Sequence, residues 1–305
     1  MRLEDRKLTY KRIAAGSVIG IVIGLTGFFF AQVGVRGMGT LIFCFFPMTA
    51  GFAIGFLTRA AKAAGISALI ALLGSLLALI AIGKEGPLCA LMAFVFLAVT
   101  IGVGAALGVA VRTLVKTSRG QNTTMGAFIL VAPGLLFVAK QLEKPLLDRA
   151  RIETISTSVW VPNSLDQTWL EIQTIDSIHA NKPWLMYVGL PIPQRCTLER
   201  PAVGARRTCY FDKGYIEETI TEWNPPYSMG LRIDRTHMPG RHWLGFENAG
   251  YRLAPEGAGT RLTRTTVISS HLYPAWYWRP LERLGVQSEH KYLLEDVMNR
   301  AHGTR

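Results

Sequence analysis

The stretch AAGISALIALLGSLLALIAIG, residues 63–83, decides the architecture of this chain. It runs for 21 residues without a charge. A helix needs roughly 20 mainly apolar residues to cross a bilayer core of about 30 Å. Four further uncharged runs surround it: Ile13–Val35, Gly37–Thr58, Gly86–Val111 and Gly120–Ala139. A soluble helix buries one apolar stripe, so five successive runs without a polar face read as membrane helices. The expected spans lie at about 13–35, 37–58, 63–83, 86–111 and 120–139, inside a transmembrane bundle of residues 1–140. The fifth run is the least regular, with Gln121-Asn122-Thr123-Thr124 at its start and Pro133 near its middle. Proline is tolerated in a membrane helix whose neighbours satisfy the freed carbonyl. Five spans is the expectation, and four is the alternative.

The charge follows the same division. Of a formal net charge of +12, residues 1–140 carry +10, from 13 basic and three acidic residues. Arg2, Arg6, Lys7, Lys11, Arg12, Arg59, Lys62, Arg112, Lys116 and Arg119 fall at the N-terminus and in alternate links, against Arg36 and Lys84 in the others. Cationic loops stay in the cytoplasm, so the N-terminus is expected inside. With five spans the remainder of the chain lies on the outer side of a bacterial-type inner membrane. The first run has no small-residue cleavage site and reads as an anchor, not a removable signal. None of the five runs contains Asp, Glu, Lys, Arg or His, which argues against a proton or ion pathway. Glycines instead recur four residues apart: Gly16, Gly20 and Gly24; Gly51 and Gly55; Gly104 and Gly108. That spacing allows close helix approach, either within a bundle or across a homo-oligomer seam.

After Ala139 the composition changes. Residues 141–151 form a charged linker with Pro145 as a break, and residues 152–305 read as a soluble α+β domain. Short β-rich stretches separated by Gly, Pro and Asn place strands at Ile152–Val161, Ile192–Glu199, Ala205–Asp212, Tyr215–Trp223, Tyr227–Asp234, Trp243–Ala254 and Gly259–Ser269. A short helix follows Ser164 through Trp169 and Ile172. A terminal helix covers about Leu281–Ala301, with Val286, His290, Leu293, Val297 and Ala301 on one face. Sequential antiparallel strands with a helix on one face make an α+β layer. A sheet curved around that helix encloses a cavity, and seven Trp and eight Tyr after residue 140 supply bulky walls. A net of +2 in this half offers no basic stripe for nucleic acid.

Several stretches of this domain resemble a known family. They are Ser156-Thr157-Ser158-Val159 leading to Trp169; Val203-Gly204-Ala205 with Arg207, Cys209 and Phe211; and Gly214 to Glu218 followed by Ile220-Thr221 and Trp223. Tyr251-Arg252-Leu253, Gly259-Thr260-Arg261-Leu262, Thr265-Thr266, Pro274-Ala275 and Tyr277-Trp278 continue the match up to the helix bearing His290. Over roughly 152–300 the chain resembles the START-like helix-grip superfamily, also called SRPBCC or polyketide cyclase/dehydrase and lipid transport. The whole plan resembles a bacterial membrane subgroup of it. The resemblance implies a curved antiparallel sheet wrapped around a long C-terminal helix, with a hydrophobic cavity under that helix. Its members include lipid carriers, ligand sensors and cyclases, so the fold does not choose between them.

The residues themselves narrow the choice. Glu217 and Glu218 sit on one strand and face opposite ways; Glu218 is the one that the family pattern matches. In an apolar cavity its carboxyl would be a raised-pKa acid or base, while the plainer reading pairs it with an Arg such as Arg207. His290 on the apolar stripe is either a satisfied core residue or, across the cavity from Glu218, a proton partner. Expected cavity residues are Trp169, Arg207, Glu218, Thr266, His271 and His290. Strand arginines at 206, 207, 232, 261 and 264 are candidates for the polar head of a ligand. Tyr273, Trp276, Tyr277 and Trp278 read as a hydrophobic anchor for the helix or as an aromatic lip at the bilayer. Cys196 and Cys209 are equidistant from a hairpin turn, which suits a disulfide in an oxidising compartment. His237 and His242 fit no zinc pattern, and neither a metal nor a cofactor is expected. The leading reading is a membrane-anchored binding module for an apolar ligand such as a lipid, a quinone or a polyketide-like molecule. The alternatives are a cyclase or dehydratase using Glu218 and His290, and a structural or interaction protein with a closed core.

Overall fold

A computed structural model describes residues 3–33, 37–115, 118–238, 243–301 and 303. Arg2, Arg36, Lys116 and His242, which enter the sequence reading, lie outside that set. The chain divides into two compact units. The first is Met1–Arg149 with His271–Pro274, and the second is Ala150–Ser270 with Ala275–Arg305.

The first unit is helical. Helix α1 is Leu3–Gln32, and a π-type turn at Leu41–Phe45 leads into α2, Phe46–Thr58. Then come α3, Ala61–Ala81; α4, Pro87–Leu114; and α5, Ser118–Leu147. Among the described residues four helical stretches are long and apolar enough to cross a membrane: Lys7–Gln32, Leu41–Thr58, Ala61–Ala81 and Pro87–Leu114. The fifth uncharged run folds as the middle of α5, which continues through Pro133 and also through Pro145, where the sequence suggests a break.

The glycine stripes explain how these helices pack. A methyl group on Gly51 or Gly55 of α2 would strike the α4 backbone at Ile101 and Ala105. One on Gly104 or Gly108 would strike the α2 backbone at Met48 and Phe52. The two stripes face each other, so α2 and α4 approach backbone to backbone. Gly16 and Gly20 of α1 instead make room for side chains, Thr58 and Ser67 at the first and Ile54 and Ala71 at the second. These stripes are therefore taken up inside one chain. Glu143 of α5 accepts the Thr40 N–H and, at 3.0 Å, the Leu41 N–H, satisfying donors that a helix start leaves free.

The second unit is an α+β helix-grip fold. Its strands are β1 Arg151–Val161, β2 Pro193–Leu198, β3 Arg206–Phe211, β4 Gly214–Asn224, β5 Ser228–His237, β6 Leu244–Glu256 and β7 Gly259–Ser270. They form one antiparallel sheet in the order β1-β7-β6-β5-β4-β3-β2. Short helices α6, Leu165–Gln173, and α7, Trp184–Val188, separate β1 from β2. Ser164 and Gln167 cap α6 reciprocally, which starts the helix where the sequence places it. Gly214 opens β4 at φ 150°, and any side chain there would strike the His237 carbonyl.

Helix α8, Ala275–Ala301, closes the unit. It starts six residues before the expected Leu281 and carries Pro280 inside. Proline removes one N–H bond near a helix start, and interactions on both sides hold the extension. Trp278 is buried, and Glu282 accepts Ser270 Oγ and Arg151 Nη2. Glu153 accepts Arg151 Nη1 at 2.8 Å, Arg279 Nε at 3.0 Å, and Arg283 Nε. Burial pushes the Glu153 carboxyl up, but the hydrogen bonds and charges of Arg283 and Arg279 outweigh it and hold it below its usual range. The main core joins Val161, Trp169, Ile172, Ile220, Met229, Leu231, Leu262, Leu294 and Val297.

Candidate functional site

The buried faces of β3, β4 and β7 carry charge where alternation would place apolar residues. Ala205 just before β3, and Arg207 and Cys209 on it, are buried around exposed Arg206 and half-buried Thr208. On β4, Ile216, Glu218 and Ile220 are buried and Glu217 is not. Of the two adjacent glutamates, Glu218 is thus the inward one. The register sets it opposite Arg207, whose Nη1 donates to Glu218 Oε2 at 2.8 Å. Both residues are nearly inaccessible, at 1% and 4% exposure, so the pairing with Arg207 that the plainer reading expects is formed across two strands and is buried. A buried pair is stable only if its other polar atoms are satisfied. Arg207 Nε and Nη2 have no acceptor among the described residues.

A second cluster lies on β7, β6 and α8. Arg264 stands opposite Tyr251 on one side and Thr157 on the other. Its Nε and Nη2 donate to the two carboxylate oxygens of Glu289 at 3.4 and 2.9 Å, and Nη1 donates to the Tyr251 hydroxyl. His290 is fully buried beside it. Its Nε2 is 2.8 Å from Thr266 Oγ1 and its Nδ1 is 3.1 Å from Thr157 Oγ1. A neutral imidazole has one donor and one acceptor nitrogen, so one threonine donates and the other accepts. Desolvation, reinforced by the Arg264 charge, pushes the His290 pKa down to about 2. The ring is neutral at any physiological pH.

Glu218 and His290 are therefore held by separate partners, the one by Arg207 and the other by two hydroxyls. Burial opposes the Arg264 charge, but Glu289, then Tyr251, then Glu218 outweigh it and keep Arg264 protonated. Between the two clusters β5 contributes apolar Met229 and Leu231, both buried. The buried face of the sheet thus sets two fixed polar clusters on either side of apolar residues of the main core.

The other expected residues fall elsewhere. Trp169 packs edge-on against Trp223 with ring centres 5.0 Å apart and belongs to the main core. His271 is not on the face of the sheet. It belongs to the first unit, with Nδ1 donating to the Leu147 carbonyl at 2.7 Å. Cys196 and Cys209 are opposite each other in register and are joined by a disulfide. Of the aromatic group, Trp278 is buried while Trp276 is exposed. His237 stacks on Tyr215 at 4.3 Å. Among the described residues no three His, Cys, Asp or Glu side chains group to hold a metal. Sequence reasoning missed Tyr251 as a polar contact and Glu289 altogether. The signal for Glu289 was its place beside His290, at the edge of the apolar stripe.

No family model matches the chain, and no curated protein matches it. Solved structures are similar to about half of it. Aha1 from Colwellia psychrerythraea, solved as a dimer, is 11% identical with a TM-score of 0.33, covering 50% of this chain and 98% of its own. An AHSA1-like protein from Aeromonas hydrophila is 14% identical with a TM-score of 0.34, over 50% and 96%. Norcoclaurine synthase from Thalictrum flavum, solved with dopamine and hydroxybenzaldehyde, is 10% identical with a TM-score of 0.36, over 53% and 92%.

Proposed function

We propose that this protein is a bilayer-anchored binding module for an apolar ligand. One observation carries the reading. Helices α1, α3 and α4 turn large apolar side chains outward, including Val18, Leu77, Val95 and Val99, each more than half exposed. Contiguous apolar faces of that size are covered in a working protein, and for helices of this length the matching cover is hydrocarbon. The helix-grip unit joined to them supplies a mixed polar and apolar interior. Binding is favoured over acid–base catalysis because Glu218 is already neutralised by Arg207 and His290 has both ring nitrogens engaged.

In the proposed arrangement α5 forms the fifth span. The N-terminus is then cytoplasmic, the ligand unit lies outside the cytoplasm, and the Cys196–Cys209 bond suits that compartment. The test of the anchor is an alkaline carbonate wash of membranes from cells expressing the full chain. The protein should remain wholly in the pellet. Release into the supernatant would mean that the apolar faces are covered by protein, and the proposal would fail.

A further inference from the structure

The two buried arginines of the helix-grip unit invite comparison. In a guanidinium, Nε and Nη2 lie along one edge and form a two-pronged donor. Arg264 directs that edge at the Glu289 carboxylate, and its remaining Nη1 at a neutral oxygen, the Tyr251 hydroxyl. Each of its three nitrogens is thus engaged, with one carboxylate and one uncharged oxygen. Arg207 reaches its carboxylate, Glu218, through Nη1. Its two-pronged edge, Nε and Nη2, is buried without an acceptor among the described residues. By the pattern of Arg264, what Arg207 lacks is an uncharged oxygen.

The charge balance points the same way. Arg207 and Glu218 already cancel, as do Arg264 and Glu289, and His290 is neutral. An anion entering this interior would add an uncompensated charge at a site where burial makes charge costly. A carbonyl oxygen adds none, and its two lone pairs suit two converging N–H groups. Leaving such donors unmade is unfavourable, whereas hydrogen bonds from a charged donor are among the stronger ones.

We propose that Arg207 is the specificity contact for the ligand, and that the ligand is an uncharged apolar molecule bearing a carbonyl oxygen, which seats on Arg207 Nε and Nη2. This rests on the binding reading above and sharpens it from apolar ligands in general to neutral ketones, quinones and esters, excluding free acids.

The test uses the full chain in detergent and three probes of equal chain length: a long-chain ketone labelled with carbon-13 at its carbonyl, the corresponding alkane, and the corresponding carboxylate. The ketone should bind about 10- to 100-fold more tightly than the alkane, the range expected for hydrogen bonds from a charged donor. The carboxylate should bind at least about 10-fold more weakly than the ketone, and equal binding would overturn the exclusion of free acids. The labelled carbonyl stretch should move to lower frequency on binding. In the double variant Arg207→Met, Glu218→Leu, which keeps the interior neutral, ketone and alkane should bind equally and the frequency shift should vanish. Tightest binding by the carboxylate would overturn the proposal, as would a ketone preference that survives the double variant. Should the variant not fold, an unshifted carbonyl in the native protein is sufficient to overturn it. If no probe binds at all, the binding reading itself fails and this inference falls with it.

Discussion

His290 was the residue most open to two readings, and its surroundings decide between them. Helical spacing placed it on the buried stripe, but burial and the Arg264 charge are what keep it neutral, and the threonines at 157 and 266 are what satisfy its two nitrogens. Those partners come from β1 and β7, distant in sequence, so no local pattern revealed them. The pH consequence follows from linkage. In the unfolded chain a histidine protonates near pH 6.5, whereas the folded ring resists protonation down to about 2. The unfolded state therefore holds the extra proton throughout that window. The His290 contribution is fully present above pH 6.5 and is lost as pH falls. Acidification from pH 7 to 5 should cost about 2 kcal/mol of stability through this residue, read as a falling thermal midpoint in detergent. His290→Gln should flatten that slope, and an equally steep slope in the variant would show that other groups cause it. Glu218 illustrates the same limit. Alternation showed that one of two adjacent glutamates faces inward, and the family resemblance indicated which.

Among the elements, the strands and turns of the second unit were legible, because Gly, Pro and Asn punctuate alternating stretches between them. Helix α7 was not, since Trp184–Val188 makes a single short turn with no periodicity to detect. The start of α8 was missed because Pro280 reads as a boundary, while the residues that carry the helix past it act from β1 and β7. The glycine spacing signalled close helix contact but not its partner. The partner is now specific: Gly55 and Gly104 occupy opposite sides of one α2–α4 contact. Gly55→Leu or Gly104→Leu would force two backbones apart and should destabilise the bundle by at least about 1–3 kcal/mol. Gly102→Leu, on the same helix but with open space around its Cβ position, should leave the thermal midpoint unchanged. Equal effects at the two sites would refute the packing argument. The hairpin cysteines give a chemical check. Alkylation of the denatured chain without reductant should modify Cys44 and Cys89 but spare Cys196 and Cys209. Labelling of all four would contradict the disulfide.

For the molecule as a whole, a charge of +12 on 305 residues invited a nucleic-acid reading until its distribution was resolved. The positive excess belongs to the helical half, and most of its cations fall at the N-terminus and in alternate links. The helix-grip half is nearly neutral, and its buried carboxylates and guanidiniums each meet an opposite charge. Length and hydropathy made the long apolar helices of the first half legible from sequence. The polar interior of the other half depends on long-range pairing, which composition does not encode. Compartment follows from span number, so a reporter fused after Arg305 should be active only outside the cytoplasm if α5 crosses the bilayer. Cytoplasmic activity would place the ligand unit on the inner side. The central claim, that this unit carries an apolar ligand, is tested most directly by mass spectrometry of gently purified full-length protein after denaturation. The account predicts a neutral, carbonyl-bearing apolar molecule at about one per chain, allowing for losses in purification; denatured protein that releases no such molecule would contradict it.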